Sequence, residues 1–161
     1  MLTEENKATQ ENKAIVRRYV EEVWTNRNPE ALEEFYPSYD LVEREGSAEQ
    51  GLPSLDAAIE YVRQVQAAFP DLSVTIEDMI AEEDRVAIRT TWRGTYEGEP
   101  IGGIDPTNKT ITVSGNVIWR IVKGKVVRMW GTQDEEAYEL GVMPYLEKPG
   151  AVFFKWPAWR C

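Results

Sequence analysis

At Pro70 the hydrophobic period of this chain changes from that of a helix to that of a strand, and this one change fixes the fold class. Before it, Ile15, Val16, Tyr19, Val20, Val23 and Trp24 recur at spacings of three and four among charged residues, so one amphipathic helix is expected over residues 11–27. Asn28-Pro29 stops that helix and opens a short second one, through Ala31, Leu32 and Phe35 to Pro37, with Asn28 as N-cap and Pro29 at the first helical position. An extended piece, Asp40 to Glu43, precedes a polar stretch. Ser54 then caps a third helix whose stripe is Leu55, Ala58, Ile59, Val62, Val65 and Phe69.

After Pro70 the alternation is two. Leu72, Val74 and Ile76 form one strand, and Glu83-Asp84 is a turn. Val86, Ile88, Thr90 and Trp92 form the second strand, and Ile111, Val113, Gly115, Val117, Trp119 and Ile121 the third. Lys123-Gly124 is a two-residue hairpin, and Lys125 to Gln133 returns as the last long strand. A short helix is expected over 135–140, closed by Gly141. Helices first and an antiparallel meander second is an α+β layout. Strands of this length twist, so the sheet should curl round the helices into a cone with a mouth, the natural place for a small-molecule pocket.

Composition narrows the function. With 18 Lys plus Arg against 28 Asp plus Glu, the net charge is −10, and there is no basic run, so neither a nucleic acid nor an anionic membrane surface is an expected partner. No apolar run is long enough to span a bilayer, and the amino terminus has neither the basic nor the apolar region of a signal peptide, so the expected location is the cytoplasm. Asn108-Lys109-Thr110 matches a glycosylation sequon and is read as a chance match. The single cysteine is Cys161 and histidine is absent. Histidine triads, histidine-ligated metals and the usual neutral-pH proton shuttle are thereby excluded. Acid–base chemistry is left to carboxylates, Tyr, Lys or water, and neither a metal nor a cofactor is expected.

The strings "AAFPDLSVTIEDMIAEEDRVAIRTTWRGTYEGE", "TVSGNVIWRIVKGKVVRMWGTQD" and "ELG" resemble the SnoaL-like polyketide cyclases, relatives of ketosteroid isomerase in the nuclear-transport-factor-two-like superfamily. The resemblance covers about residues 12–142, which gives a cone domain over 1–142 and an aromatic-rich tail over 143–161. It implies a cone of about three helices against a curved antiparallel or mixed sheet, often dimeric through its outer face. The family's strand Asp falls at Gly131, its polar partner at Val117 and a further His at Met129, so all three polar positions are empty here. Asp134 matches another common family Asp and is read as a helix cap. From ketosteroid isomerase the resemblance carries over an oxyanion-stabilising Tyr at Tyr19, within Arg18-Tyr19-Val20, and a general base at Glu43, or at Asp40 if the register slips.

Each candidate has a plainer reading. Tyr19 is either a donor into the cone or a core tyrosine. Glu43 is either a base whose pKa an apolar cavity raises or a solvated acid among many. Trp92, Val117, Trp119, Met129 and Gly131 are either the wall of a pocket for a flat apolar ligand, with Gln133 beside them, or ordinary core; a mid-strand Gly favours the pocket. Arg89, Arg93 and Arg120, with Thr91 and Asn116, fall on the opposite face, solvated or dimer-facing. Residues 97–108 are either a lid or a surface loop. The aromatic tail covers the mouth or a partner surface. The expected protein is a homodimeric, cofactor-free isomerase or cyclase acting on a hydrophobic cyclic or polyketide-like molecule. The alternatives are a non-catalytic binding protein with the same pocket, and a filled cone acting through its surface.

Overall fold

The computed structural model describes residues 4–38, 41, 54–101 and 103–133. Helix α1 (Glu4–Tyr19) runs on into a π-helical segment (Val20–Thr25), followed by a 3-10 turn (Pro29–Ala31), α2 (Leu32–Phe35) and α3 (Leu55–Ala68). Four strands follow: β1 (Ser73–Glu82), β2 (Arg85–Thr95), β3 (Thr110–Val122) and β4 (Lys125–Gln133). They form one antiparallel meander in the order β1-β2-β3-β4. The expected α+β architecture is therefore present, with helices on the inner face of a curved sheet. Among the described residues no helix is long and apolar enough to cross a membrane.

The helix signals act largely as read. Ser54 accepts a hydrogen bond from the Ala57 amide, a first-turn donor that would otherwise be orphaned. Pro29 opens the second helix, but Asn28 makes no side-chain cap bond and the first turn is 3-10. The first helix begins earlier than its apolar stripe does, at Glu4, because polar helix formers extend it. Its widened last turns leave the Val23 carbonyl to the buried Gln66 side chain, which donates at 2.8 Å. Arg27, in the left-handed region at φ 53, donates to the carbonyls of Gln66 at 2.6 Å and Phe69, capping the end of α3.

The two hairpins place the inner face. Lys123 (φ 51) and Gly124 (φ 74) both take positive φ, the conformation that matches strand twist. A bulge then inserts Val127: Ile121 pairs with Val126, but Arg120 pairs with Arg128. That one extra residue turns Met129 and Gly131 inward, opposite Trp119 and Val117. Without it Trp130 would face the helices. A second shift between Ile76 and Asp78 keeps Val74, Ile76, Met79 and Ala81 on the core side.

Several described residues between 97 and 108 are tied to the rest of the domain. The amides of Gly98 and Glu99 donate to the carbonyls of Ala68 and Ala67 at 3.0 Å. Tyr96 is buried, stacks on Phe69, donates its hydroxyl to the Ile104 carbonyl and accepts from the Ile101 amide. The segment thus carries a small core of its own, with Ala68, Phe69, Ile101 and Ile111.

Candidate active site at the Tyr19–Trp119 end of the sheet

The register sorts the inward-facing candidates into two groups. Val117 faces Gly131 and Trp119 faces Met129 across the β3–β4 ladder, so these four form one contiguous block, with Gln133 one step further along, opposite Gly115. Trp92 belongs elsewhere. Its cross-strand partner on β3 is Val113, six residues from Trp119 and so about 20 Å away along the strand. There it packs edge-on against Trp24 at 4.6 Å and donates its indole N–H to the buried Thr90 hydroxyl at 3.1 Å. The expected single wall of indoles is therefore two separate aromatic ends, and Trp92 does not adjoin the Trp119 block.

Tyr19 belongs to the Trp119 end. Its ring meets Trp119 edge-on at 4.6 Å and Phe35 at 5.3 Å, so helix α1 and strand β3 touch through these two side chains. Arg18, the next residue, turns outward, pairs with Glu34 and lies over the Phe35 ring. Two tyrosines that the sequence reading passed over stand near Tyr19: Tyr36, at the end of α2, and Tyr61, on α3. Tyr61 lies at the edge of the α3 stripe and Tyr36 just precedes Pro37, so neither carries an obvious periodic signal.

Burial is the main reason that the Tyr19 phenol is held above its ordinary value of 10, and the neighbouring Tyr36 and Tyr61 add to the shift. Burial likewise raises Tyr36, and it pushes Tyr61 up to about 12. All three phenols are neutral at physiological pH. A neutral phenol donates a hydrogen bond and does not take a proton, so these three side chains can stabilise negative charge on oxygen but do not act as the base.

Trp119 is 3% exposed, and among the described residues its indole nitrogen has no hydrogen-bond partner. Leaving such a buried donor unmade costs about 1–3 kcal/mol. The carboxylate candidates Glu43 and Asp40, the capping candidate Asp134, the helix expected over 135–140 and the aromatic tail all lie outside the described residues. No group of three or more acidic or cysteine side chains that could hold a metal ion occurs among the described residues. On the outer face Arg89 and Arg93 are exposed as expected, whereas Arg120 is partly buried and donates to Asp84 at 2.7 Å.

A family model described as SnoaL-like polyketide cyclase matches residues 14–140. No curated protein matches the chain. Solved structures do. AclR from Streptomyces galilaeus, a candidate hydroxylase, is 26% identical, with 89% of this chain and 88% of that one covered and a TM-score of 0.64. A candidate SnoaL-like polyketide cyclase from Jannaschia sp. CCS1 is 20% identical over 88% of this chain and 96% of that one, with a TM-score of 0.67. IdmH from Streptomyces antibioticus, a candidate polyketide cyclase, is 23% identical over 81% and 99%, with a TM-score of 0.59. The last two likenesses speak for the fold.

Proposed function

Because this chain belongs to the SnoaL-like polyketide cyclase family, we propose that it is a cofactor-independent isomerase- or cyclase-like enzyme for a hydrophobic, polyketide-like ketone. The observation that carries the reading is the contact between Tyr19 and Trp119, which sets a neutral phenol beside the apolar block of Val117, Met129 and Gly131.

In this mechanism the carboxylate of Glu43 (Asp40 is the neighbouring candidate) takes the proton from a carbon next to the substrate carbonyl. The electron pair moves on to the carbonyl oxygen, and the Tyr19 hydroxyl donates to the oxyanion that forms. Collapse of the enolate with return of the proton at another carbon completes an isomerisation. Attack of the enolate carbon on a second carbonyl forms a carbon–carbon bond, and the new alkoxide then takes the proton back from Glu43. In this reading the ring system lies against Trp119 and Met129, beside Gly131, which brings no side chain opposite Val117.

The test is exchange of the activated protons of 2-tetralone with deuterium in heavy water. Wild-type protein accelerates it, Glu43→Gln abolishes the acceleration, and Tyr19→Phe lowers it about 10²-fold or more, the size of one oxyanion donor. Exchange no faster than in buffer would overturn the enzymatic reading. A second reading, a binding protein that leaves its ligand unchanged, is favoured by the apolar pair of Val117 and Gly131; it predicts retention of the ketone without exchange.

The protein is proposed to act as a homodimer. The support is an apolar row across the outer face of the sheet, Ile80–Ala87–Ile118–Trp130, held in line by the strand register. Ile80 is 66% exposed and Ile118 43%, an apolar patch that a second copy of the same row would cover.

A further inference from the structure

We propose that Trp119 is a hydrogen-bond donor to the ligand, its indole N–H reaching a carbonyl or enolate oxygen at the Tyr19 end of the interior. The proposal rests on the interior site described above and names the chemistry that the site selects: a ring compound with an oxygen acceptor on its edge, not a plain hydrocarbon.

Two indoles, Trp92 and Trp119, face inward from the sheet. An indole nitrogen only donates, so once buried it needs an acceptor. Trp92 has one built beside it: the buried Thr90 hydroxyl, two residues along the same strand and face, accepts at 3.1 Å. Trp119 is buried more deeply than the partly buried Trp92, yet the equivalent positions two residues along β3 are Val117 and Ile121, and its cross-strand neighbours are Val86 and Met129. None of these side chains offers a strong acceptor. The rings packed on it, Tyr19 among them, also leave its nitrogen without a partner among the described residues. Native interiors hold few such groups, and those that persist call for a specific cause.

A structural tryptophan gains nothing from this arrangement, since Phe would fill most of the space without the orphaned donor. A ligand oxygen gives the indole its acceptor. Met129, unbranched and adaptable, is the neighbour best able to shift and admit it. Donors then come from two sides, a phenol on helix α1 and an indole on strand β3. A site with that lining prefers the ketone over the hydrocarbon of the same shape, because only the ketone satisfies the indole.

The experiment is a titration of protein carrying 15N-labelled tryptophan, with 2-tetralone and with tetralin, the same rings without the carbonyl. The Trp119 indole signal is identified by its contacts with the Tyr19 ring. The ketone is expected to move that signal downfield, and tetralin to leave it nearly in place. Trp119→Phe is expected to weaken the ketone about tenfold and tetralin less than twofold. Ketone binding that leaves the indole signal where tetralin leaves it would overturn the role of Trp119 and spare the interior site. That comparison uses wild-type protein alone, so it stands even where the variant fails to fold. Binding of neither compound at millimolar concentration would overturn the site and the inference together.

Discussion

The clustered tyrosines make stability in alkali a direct reading of this interior, and Tyr61→Phe is the perturbation that isolates one of them. An unfolded tyrosine ionises near 10, whereas burial moves Tyr61 up to about 12 in the native state. Below pH 10 both states hold the proton and the full stability is present. Above it the unfolded chain releases protons that the native chain retains, so unfolding is favoured progressively until the native group also titrates. Each pH unit in that window is worth at most about 1.4 kcal/mol per phenol. Tyr61 alone therefore removes about 2 kcal/mol between pH 10 and 12, and with Tyr19 and Tyr36 also raised the three together remove about 3 kcal/mol from pH 10 to 11. A domain with a typical total of about 5–15 kcal/mol exhausts much of it within that window. The assay is urea unfolding followed by circular dichroism at pH 8, 10 and 11. The gap between wild type and Tyr61→Phe should narrow by about 1 kcal/mol from pH 10 to 11. A gap that stays constant, or wild-type stability that is flat up to pH 11, would refute the claim that these phenols are held neutral by burial.

Two further outcomes follow from the geometry. A Cβ on Gly98 would lie 1.8 Å from the Ala67 carbonyl oxygen, so Gly98→Ala should detach residues 97–99 from the end of α3 and cost about 2–3 kcal/mol, measured by thermal or urea unfolding; an unchanged midpoint would contradict the pinned segment. Ile118→Lys, at the centre of the exposed outer row, should turn a dimer into a monomer in analytical ultracentrifugation while helix and strand content stay the same; a wild type that is monomeric at every concentration would contradict the homodimer.

Most of the scaffold was legible because it rests on local rules. The change of period at Pro70, the Ser54 cap and the Lys123-Gly124 turn each depend on a few adjacent residues, and each stands in the structure. What local rules miss is pairing at a distance. The bulge at Val127 decides whether Met129 or Trp130 faces the helices, and a bulge leaves little trace in a strand rich in valine. The same limit joined Trp92 to Trp119. Both alternate correctly on their strands, but only the β2–β3 register shows that Trp92 stands opposite Val113 and packs on Trp24. Tyr36 and Tyr61 were passed over for a related reason: their significance lies in nearness to Tyr19, which three separate helical segments create. The anchoring of Gly98 and Glu99 also depends on a long-range match, between their two amides and the open carbonyl end of α3. Glu43 and Asp40 lie outside the described residues, so their part in the chemistry is a proposal for mutagenesis to decide.

The most direct measurement of where this interior binds is the set of magnetisation-transfer contacts between bound 2-tetralone and protein labelled on methionine methyl and tyrosine ring groups. A ligand in the Tyr19–Trp119 site gives contacts to the Met129 methyl and the Tyr19 ring, and weaker ones to Met79, two strands away beside Ile88. Contacts confined to the Trp24–Trp92 end, or to the exposed outer face, would contradict the account.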